Sequence, residues 1–230
     1  MNSTLQFSHN GFTVGSSYPL TSNQLAQMVE VFQTPPQPEN IRLGGRVSVC
    51  RKQLEGIGAV VVKHYQRGGL LANLITRYYL KSGKTRSQIE FENMERVRAM
   101  GVRVPEPVAY GYRGRLFYRA WLITREIMHS QTMVEYSLAE PTNRIAKAMA
   151  ALDNQINILV ENRIMHADFH PGNILIDNRE QIYIIDFDKS VVGRHDRENI
   201  ALRYRKRWCR AVQKHGLPEN LCTLMQSRKA

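Results

Sequence analysis

Apolar and polar positions alternate with a period that changes along the chain. Residues 1–40 keep no steady period except for an apolar run at 25–32, which predicts a short helix. Thr34-Pro35-Pro36-Gln37-Pro38 ends it, because proline lacks an N–H and restricts its predecessor. From Ile41 the texture turns β-branched. Val47-Ser48-Val49-Cys50 and Ala59-Val60-Val61-Val62-Lys63-His64-Tyr65 flank glycines at 56 and 58, which predicts a hairpin. Leu70, Leu71, Leu74, Ile75, Tyr78 and Tyr79 recur at helical spacing and suit a helix packed on the core in preference to one dipping into lipid. A further helix is expected over 86–100, closed by Gly101 with Pro105 beyond it. Strands follow at 108–110 and 117–127 around a turn at Arg113-Gly114. Pro141 then opens a long helix over 142–161 with an apolar stripe of Ile145, Met149, Leu152, Ile156 and Leu159. Short strands at 173–176 and 181–185 flank Asp177-Asn178, and the remaining residues read as helices broken by Gly216 and Pro218.

Composition narrows the class. The 230 residues suffice for one domain or two closely packed lobes, and 43% apolar content with 15 Gly and 9 Pro supports a packed core. The 32 Lys/Arg against 20 Asp/Glu leave a net charge of +12, which favours anionic partners. Cys50, Cys209 and Cys222 are odd in number and match no zinc spacing, so a reducing compartment with unbridged thiols is expected. No basic-then-apolar leader and no long uncharged apolar run is present, so a membrane role is expected to be peripheral.

The densest chemistry lies in His166-Ala167-Asp168-Phe169-His170-Pro171-Gly172-Asn173, followed by Ile184-Ile185-Asp186-Phe187-Asp188. A hairpin between the two segments returns Asp186 beside Asn173, grouping carboxylate and amide oxygens that suit Mg2+, with Mn2+ as the alternative. Asp168 is then available as a general base. Single Asp and Asn residues in loops are usually turn formers. The ordered set is what carries weight: His-x-Asp, Asn five later, then apolar-apolar-Asp with its Asp thirteen after the Asn. This set resembles the protein-kinase-like superfamily. That resemblance implies an α+β, compact bilobal fold over 1–230, with a small β-rich N-lobe (1–128, including an extension 1–40) carrying one key helix, and a mostly helical, shortened C-lobe (129–230). It also implies a lysine that holds the phosphates of ATP and a helix glutamate that pairs with it. Lys63 closes an apolar run where such a lysine belongs. Glu90 shares a helix face with Met94 and Val97; Glu92 and Glu95 are its rivals. Gly44 and Gly45 offer backbone N–H groups to phosphates, and Glu126 and Ile127, ending the 117–127 strand, are further nucleotide-binding candidates. Ser82-Gly83-Lys84-Thr85 is discarded as a Walker tail, since position 78 is tyrosine where that motif needs glycine.

Asp186 is followed by Phe187-Asp188, no Ala-Pro-Glu segment occurs downstream, and only 44 residues remain, which disfavours a regulated protein kinase. Lys63-His64-Tyr65-Gln66-Arg67-Gly68-Gly69-Leu70, Arg77-Tyr78, Thr85-Arg86, Glu90-Phe91 and Val104-Pro105-Glu106-Pro107-Val108-Ala109 extend the pattern. With the His166 and Asp186 segments they resemble the lipopolysaccharide core kinases, and among these the 3-deoxy-D-manno-octulosonic acid (Kdo) kinases most. The resemblance implies transfer of the ATP γ-phosphate to the 4-hydroxyl of Kdo on lipid A. The work would be done peripherally on the anionic cytoplasmic face of a bacterial inner membrane. It implies Lys63, Glu90 and Asp168 as the catalytic set, Asn173 and Asp186 as metal ligands, and an open role for Asp188. Alternatives are a kinase of heptose or another small alcohol, an atypical protein kinase, and a nucleic-acid-binding pseudokinase. The last would use the six Lys/Arg of 197–210, but no aromatic-interleaved RNA motif accompanies them and no nucleic-acid partner is expected.

Overall fold

The computed structural model describes residues 4–34, 48–65, 78–193 and 196–226. They group into two units, Met1–Glu95 with Glu106–Glu126, and Arg96–Pro105 with Ile127–Ala230. Gly44 and Gly45, and residues 70–77 of the predicted 70–79 helix, lie outside the described residues.

The first unit is built on an antiparallel sheet of β1 (Leu5–His9), β2 (Phe12–Ser16), β3 (Ser48–Leu54), β4 (Gly58–His64), β6 (Pro107–Arg113) and β7 (Phe117–Arg125), with the short β5 (Tyr79–Leu80) paired to β7. The spatial order is β1-β2-β6-β7-β4-β3. The β3–β4 hairpin and the β6–β7 pair stand where the β-branched runs predicted them. Residues 1–40 do not. They were expected to be irregular outside 25–32, yet β1 and β2 form a hairpin that adds to the sheet through β6. The physical cause is Asn10-Gly11, both left-handed at φ 48° and 77°, a turn whose twist matches that of the strands it joins. Tyr79 also departs from the helical reading, because it pairs with Tyr118 as a strand.

Helix α1 (Ser22–Gln33) starts at a reciprocal capping box between Thr21 and Gln24. Period two then sorts the sheet residues by face. Val60, Val62, Trp121 and Ile123 share a core with Met28, Val29 and Phe32 of α1. Phe32 stacks on Trp121 at 5.1 Å between ring centroids. It can do so because position 111 is glycine: a Cβ there would lie 2.3 Å from the Phe32 ring. Residues of opposite parity, Lys63, Tyr110 and Leu122, look the other way, where Phe91 of helix α2 (Arg86–Ala99) meets Tyr110 edge-on at 5.4 Å.

In the second unit β8 (Gln131–Thr132) leads into α3 (Met133–Ala139) and α4 (Thr142–Glu161). The predicted stripe of α4 is buried, as its period requires. Two small sheets follow. One pairs β9 (Ile164–Met165) with β12 (Val191–Val192); the other joins β8, β10 (Ile174–Ile176) and β11 (Ile182–Ile184). Helix α5 (Arg197–Lys214) buries Ile200, Tyr204, Trp208 and Val212, one side chain per turn, and α6 (Asn220–Gln226) completes the unit. Cys209 and Cys222 are joined by a disulfide between these helices, with Cα atoms 5.1 Å apart, so the expectation of unbridged thiols holds for Cys50 alone. Among the described residues no helix is long and apolar enough to cross a membrane.

Candidate active site

In the first unit the chemistry begins with a parity rule. Val62 and His64 point into the core shared with α1 and at Trp121, so Lys63 emerges on the face where α2 packs. The start of α2 is set by Thr85, whose hydroxyl accepts the Gln88 N–H at 3.3 Å, and by Ser87, which donates to the Gly111 carbonyl at 3.1 Å. One turn later Glu90, 2% exposed in its side chain, receives Lys63 Nζ on both oxygens at 2.8 and 2.7 Å. Tyr65 Oη donates to Glu90 Oε2, and the Lys63 ammonium lies 5.0 Å from the centre of the Tyr65 ring. Burying such a pair is costly, and removing one member alone typically costs about 3–5 kcal/mol. The rival Glu92 is turned outward onto Lys84 at 2.6 Å. The role of Tyr65 escaped the sequence reading, although it continues the parity of Lys63 one residue past the end of β4. Glu126 donates its backbone N–H to Ala59 O at 3.0 Å and pairs with Arg51 at 2.5 Å, while Ile127 follows half-buried.

In the second unit the loop after β9 is organised by a buried histidine. His166 donates its backbone N–H to Tyr204 Oη at 2.9 Å, and that hydroxyl donates onward to Ile164 O at 2.7 Å. Its ring accepts the Asp168 N–H on Nδ1 at 3.2 Å, so Nε2 carries the proton and donates to Ile185 O at 2.9 Å. Burial pushes the ring pKa down, which keeps it neutral. Phe187 meets His166 edge-on at 4.7 Å, and Phe169 packs on Tyr204 at 4.6 Å. One imidazole thus ties the Asp168 loop to the segment before Asp186.

Asp168 itself is 66% exposed in its side chain, with His170 Nε2 at 3.6 Å from Oδ2. That ring holds the Asp168 carboxyl below the usual carboxylate range, against the opposing effect of partial burial. Asn173 donates its side-chain N–H to Asp168 O at 2.8 Å, which leaves Oδ1 as its accepting edge. The Ile185 N–H donates to Asn173 O at 3.0 Å, so the strand end returns beside Asn173 as the motif spacing predicted. Asp186 is held left-handed at φ 70°, an unusual conformation for a residue other than glycine. The carboxylate oxygens of Asp186 and Asp188 come within 4.8 Å of one another. The Asp186 and Asp188 carboxylates offer hard oxygens of the kind magnesium takes. The role of Asp188 is open in the sequence, where Asp-Phe-Asp fixes only its place, and its carboxylate lies beside that of Asp186.

The family model for the lipopolysaccharide kinase (Kdo/WaaP) family matches residues 37–205, which include every residue of both clusters. The chain is 37% identical over 148 residues to a 3-deoxy-D-manno-octulosonic acid kinase of Vibrio vulnificus, covering 63% of this chain and 61% of that one. Similar proteins of the same description occur in Vibrio cholerae, 33% identical over 134 residues (57% and 56% of the two chains), and in Stenotrophomonas maltophilia, 34% identical over 147 residues (59% and 54%). The match therefore spans about three-fifths of the length of these relatives.

Proposed function

The chain belongs to the lipopolysaccharide kinase (Kdo/WaaP) family, and from that premise we propose that it transfers the γ-phosphate of ATP to the 4-hydroxyl of Kdo on lipid A. The observation that carries the reading is the ion pair of half-buried Lys63 with buried Glu90, together with the Asp168, Asn173, Asp186 order inside the matched residues. A lysine paired with a buried carboxylate has no packing advantage over an apolar pair of similar volume. Its use is to present a fixed positive charge to phosphates.

In this reading Lys63 neutralises phosphate oxygens, and Glu90, steadied by Tyr65, fixes where its ammonium points. Asp168 accepts the proton of the attacking sugar hydroxyl. A new bond forms from that oxygen to the γ-phosphorus while the bond from phosphorus to the ADP oxygen breaks, and Asp168 later returns the proton to solvent. Asp168 is ionised at neutral pH, the form that accepts a proton, and His170 beside it holds the carboxyl below the usual carboxylate range. Asn173 and Asp186, with Asp188, would hold Mg2+, which when bound supplies charge neutralisation at the phosphates. The protein works peripherally at the anionic cytoplasmic face of the inner membrane, with residues 1–128 and 129–230 as its two lobes.

The test is incubation with γ-labelled ATP and Kdo-lipid A. Label is expected on the Kdo sugar. Asp168→Ala is expected to lose turnover while keeping most nucleotide affinity. Label found only in protein, or near-normal rates in the Asp168→Ala variant, would sink the assignment.

A further inference from the structure

One edge of the first unit is apolar where a soluble surface ordinarily is not. Leu80 of β5 pairs with Phe117 of β7, and the Lys81 N–H donates to Leu116 O at 2.9 Å, so β5 and the β6–β7 turn form a single tip. The turn is rigid. Gly114 sits at φ +117°, and a Cβ there would lie 2.0 Å from Phe117 O, so only glycine closes it. Held this way, Leu80 is 57% exposed, Leu116 63% and Phe117 54%. Clustered apolar exposure of this kind marks an interaction surface.

The charge around the tip is of one sign. Residues 78–84 and 113–119 contain Lys81, Lys84, Arg113, Arg115 and Arg119 and not a single Asp or Glu. Lys84 pairs with Glu92, and Arg113 and Arg119 are register partners across the β6–β7 ladder. Like charges in that register destabilise a sheet. Each guanidinium is steadied from below by an aromatic ring, Phe12 and Trp121 respectively, at 5.1 Å. An apolar centre with a cationic rim is complementary to the boundary between acyl chains and anionic headgroups. Nucleic acid would satisfy the rim and leave the exposed leucines and phenylalanine without counterpart.

We propose that the tip formed by Leu80, Leu116 and Phe117, rimmed by Arg113, Arg115 and Arg119, is the surface that docks this protein on an anionic phospholipid bilayer. The inference deepens the reading above and rests on it only for the membrane as the place of work. Vesicle binding is measured without nucleotide or acceptor, so docking can fail while phosphorylation stands, and the reverse.

The full-length protein is sedimented with vesicles of phosphatidylcholine alone and with vesicles containing about a quarter phosphatidylglycerol. Wild type is expected to bind the second and not the first. Leu116→Ser with Phe117→Ser should lower partitioning about tenfold or more, and Arg115→Gln about fivefold. Trp121 and Trp208 are buried, so the indole introduced by Phe117→Trp reports separately, and its emission should shift to the blue on anionic vesicles. The double serine variant should keep wild-type turnover on a water-soluble, acyl-free acceptor. Undiminished vesicle binding by a folded double serine variant overturns the proposal, as does wild-type binding to duplex DNA without binding to vesicles. Should the double variant fail to fold, the other two decide: unmoved emission together with undiminished binding by Arg115→Gln overturns it.

Discussion

Tyr65 stands in the 63–70 motif run with no role of its own assigned there, yet its hydroxyl donates to Glu90. Lys63 and Glu90 were legible because each sits in a pattern, an apolar run and a helical face. Tyr65 was not, because parity gives it the face of Lys63 but not the partner it meets across the sheet-helix interface. A hydrogen bond to a charged group contributes about 1.5–3 kcal/mol. Tyr65→Phe is therefore expected to lower stability by about 1.5 kcal/mol in urea unfolding. It should weaken nucleotide binding by less than Glu90→Ala does. An unchanged unfolding midpoint would show that the Tyr65 hydroxyl does not steady the carboxylate. His166 was visible as part of His-x-Asp, but its tie to Ile185 appears only once the hairpin is closed.

At the scale of elements, period was a good guide wherever an element buries one face. Helices α2 and α4 and the β10–β11 hairpin stand within a few residues of their expected bounds. The misreadings fell on short strands: β1 and β2 span five residues each and β5 two, too few for alternation to outweigh other patterns. The β10–β11 turn also shows how elements are clamped without a motif. Glu180 on that turn takes Arg144 at 2.8 Å and Lys147 at 2.6 Å, both from α4. Lys147 first, then Arg144, depress the Glu180 pKa below the ordinary 4.5. A carboxyl with a depressed folded pKa stabilises above its unfolded value, and the effect is lost as pH falls through the folded one. Glu180→Gln is thus expected to lower the melting temperature at pH 7. The difference should shrink as the pH drops below about 4.5. Equal differences at both ends of a pH series of thermal melts would contradict this role.

The net charge of +12 concerns the whole molecule, and by itself it could not choose between nucleic acid and lipid. The choice proposed above is local. At the β5 and β6–β7 tip the basic residues ring exposed leucine and phenylalanine, an arrangement visible only after β5 pairs with β7. If the cationic rim contributes as proposed, vesicle binding should weaken as salt shortens the Debye length from about 10 Å at 0.1 M to about 3 Å at 1 M. Salt-insensitive binding, measured in the same sedimentation assay, would assign the interaction to the apolar centre alone.

The Phe32–Trp121 stack has a practical bearing on how the protein can be handled. The segment recognisable as family begins at residue 37, whereas α1, whose Phe32 covers Gly111 and Trp121, ends before it. Anyone trimming the gene to its homologous stretch would strip an entire helical layer and leave Val60, Val62 and Trp121 facing water. Such a trimmed product is expected to go to inclusion bodies while one retaining residues 4–34 stays in the supernatant, a comparison that one expression gel resolves. Ancestry and foldability draw their borders here at different residues.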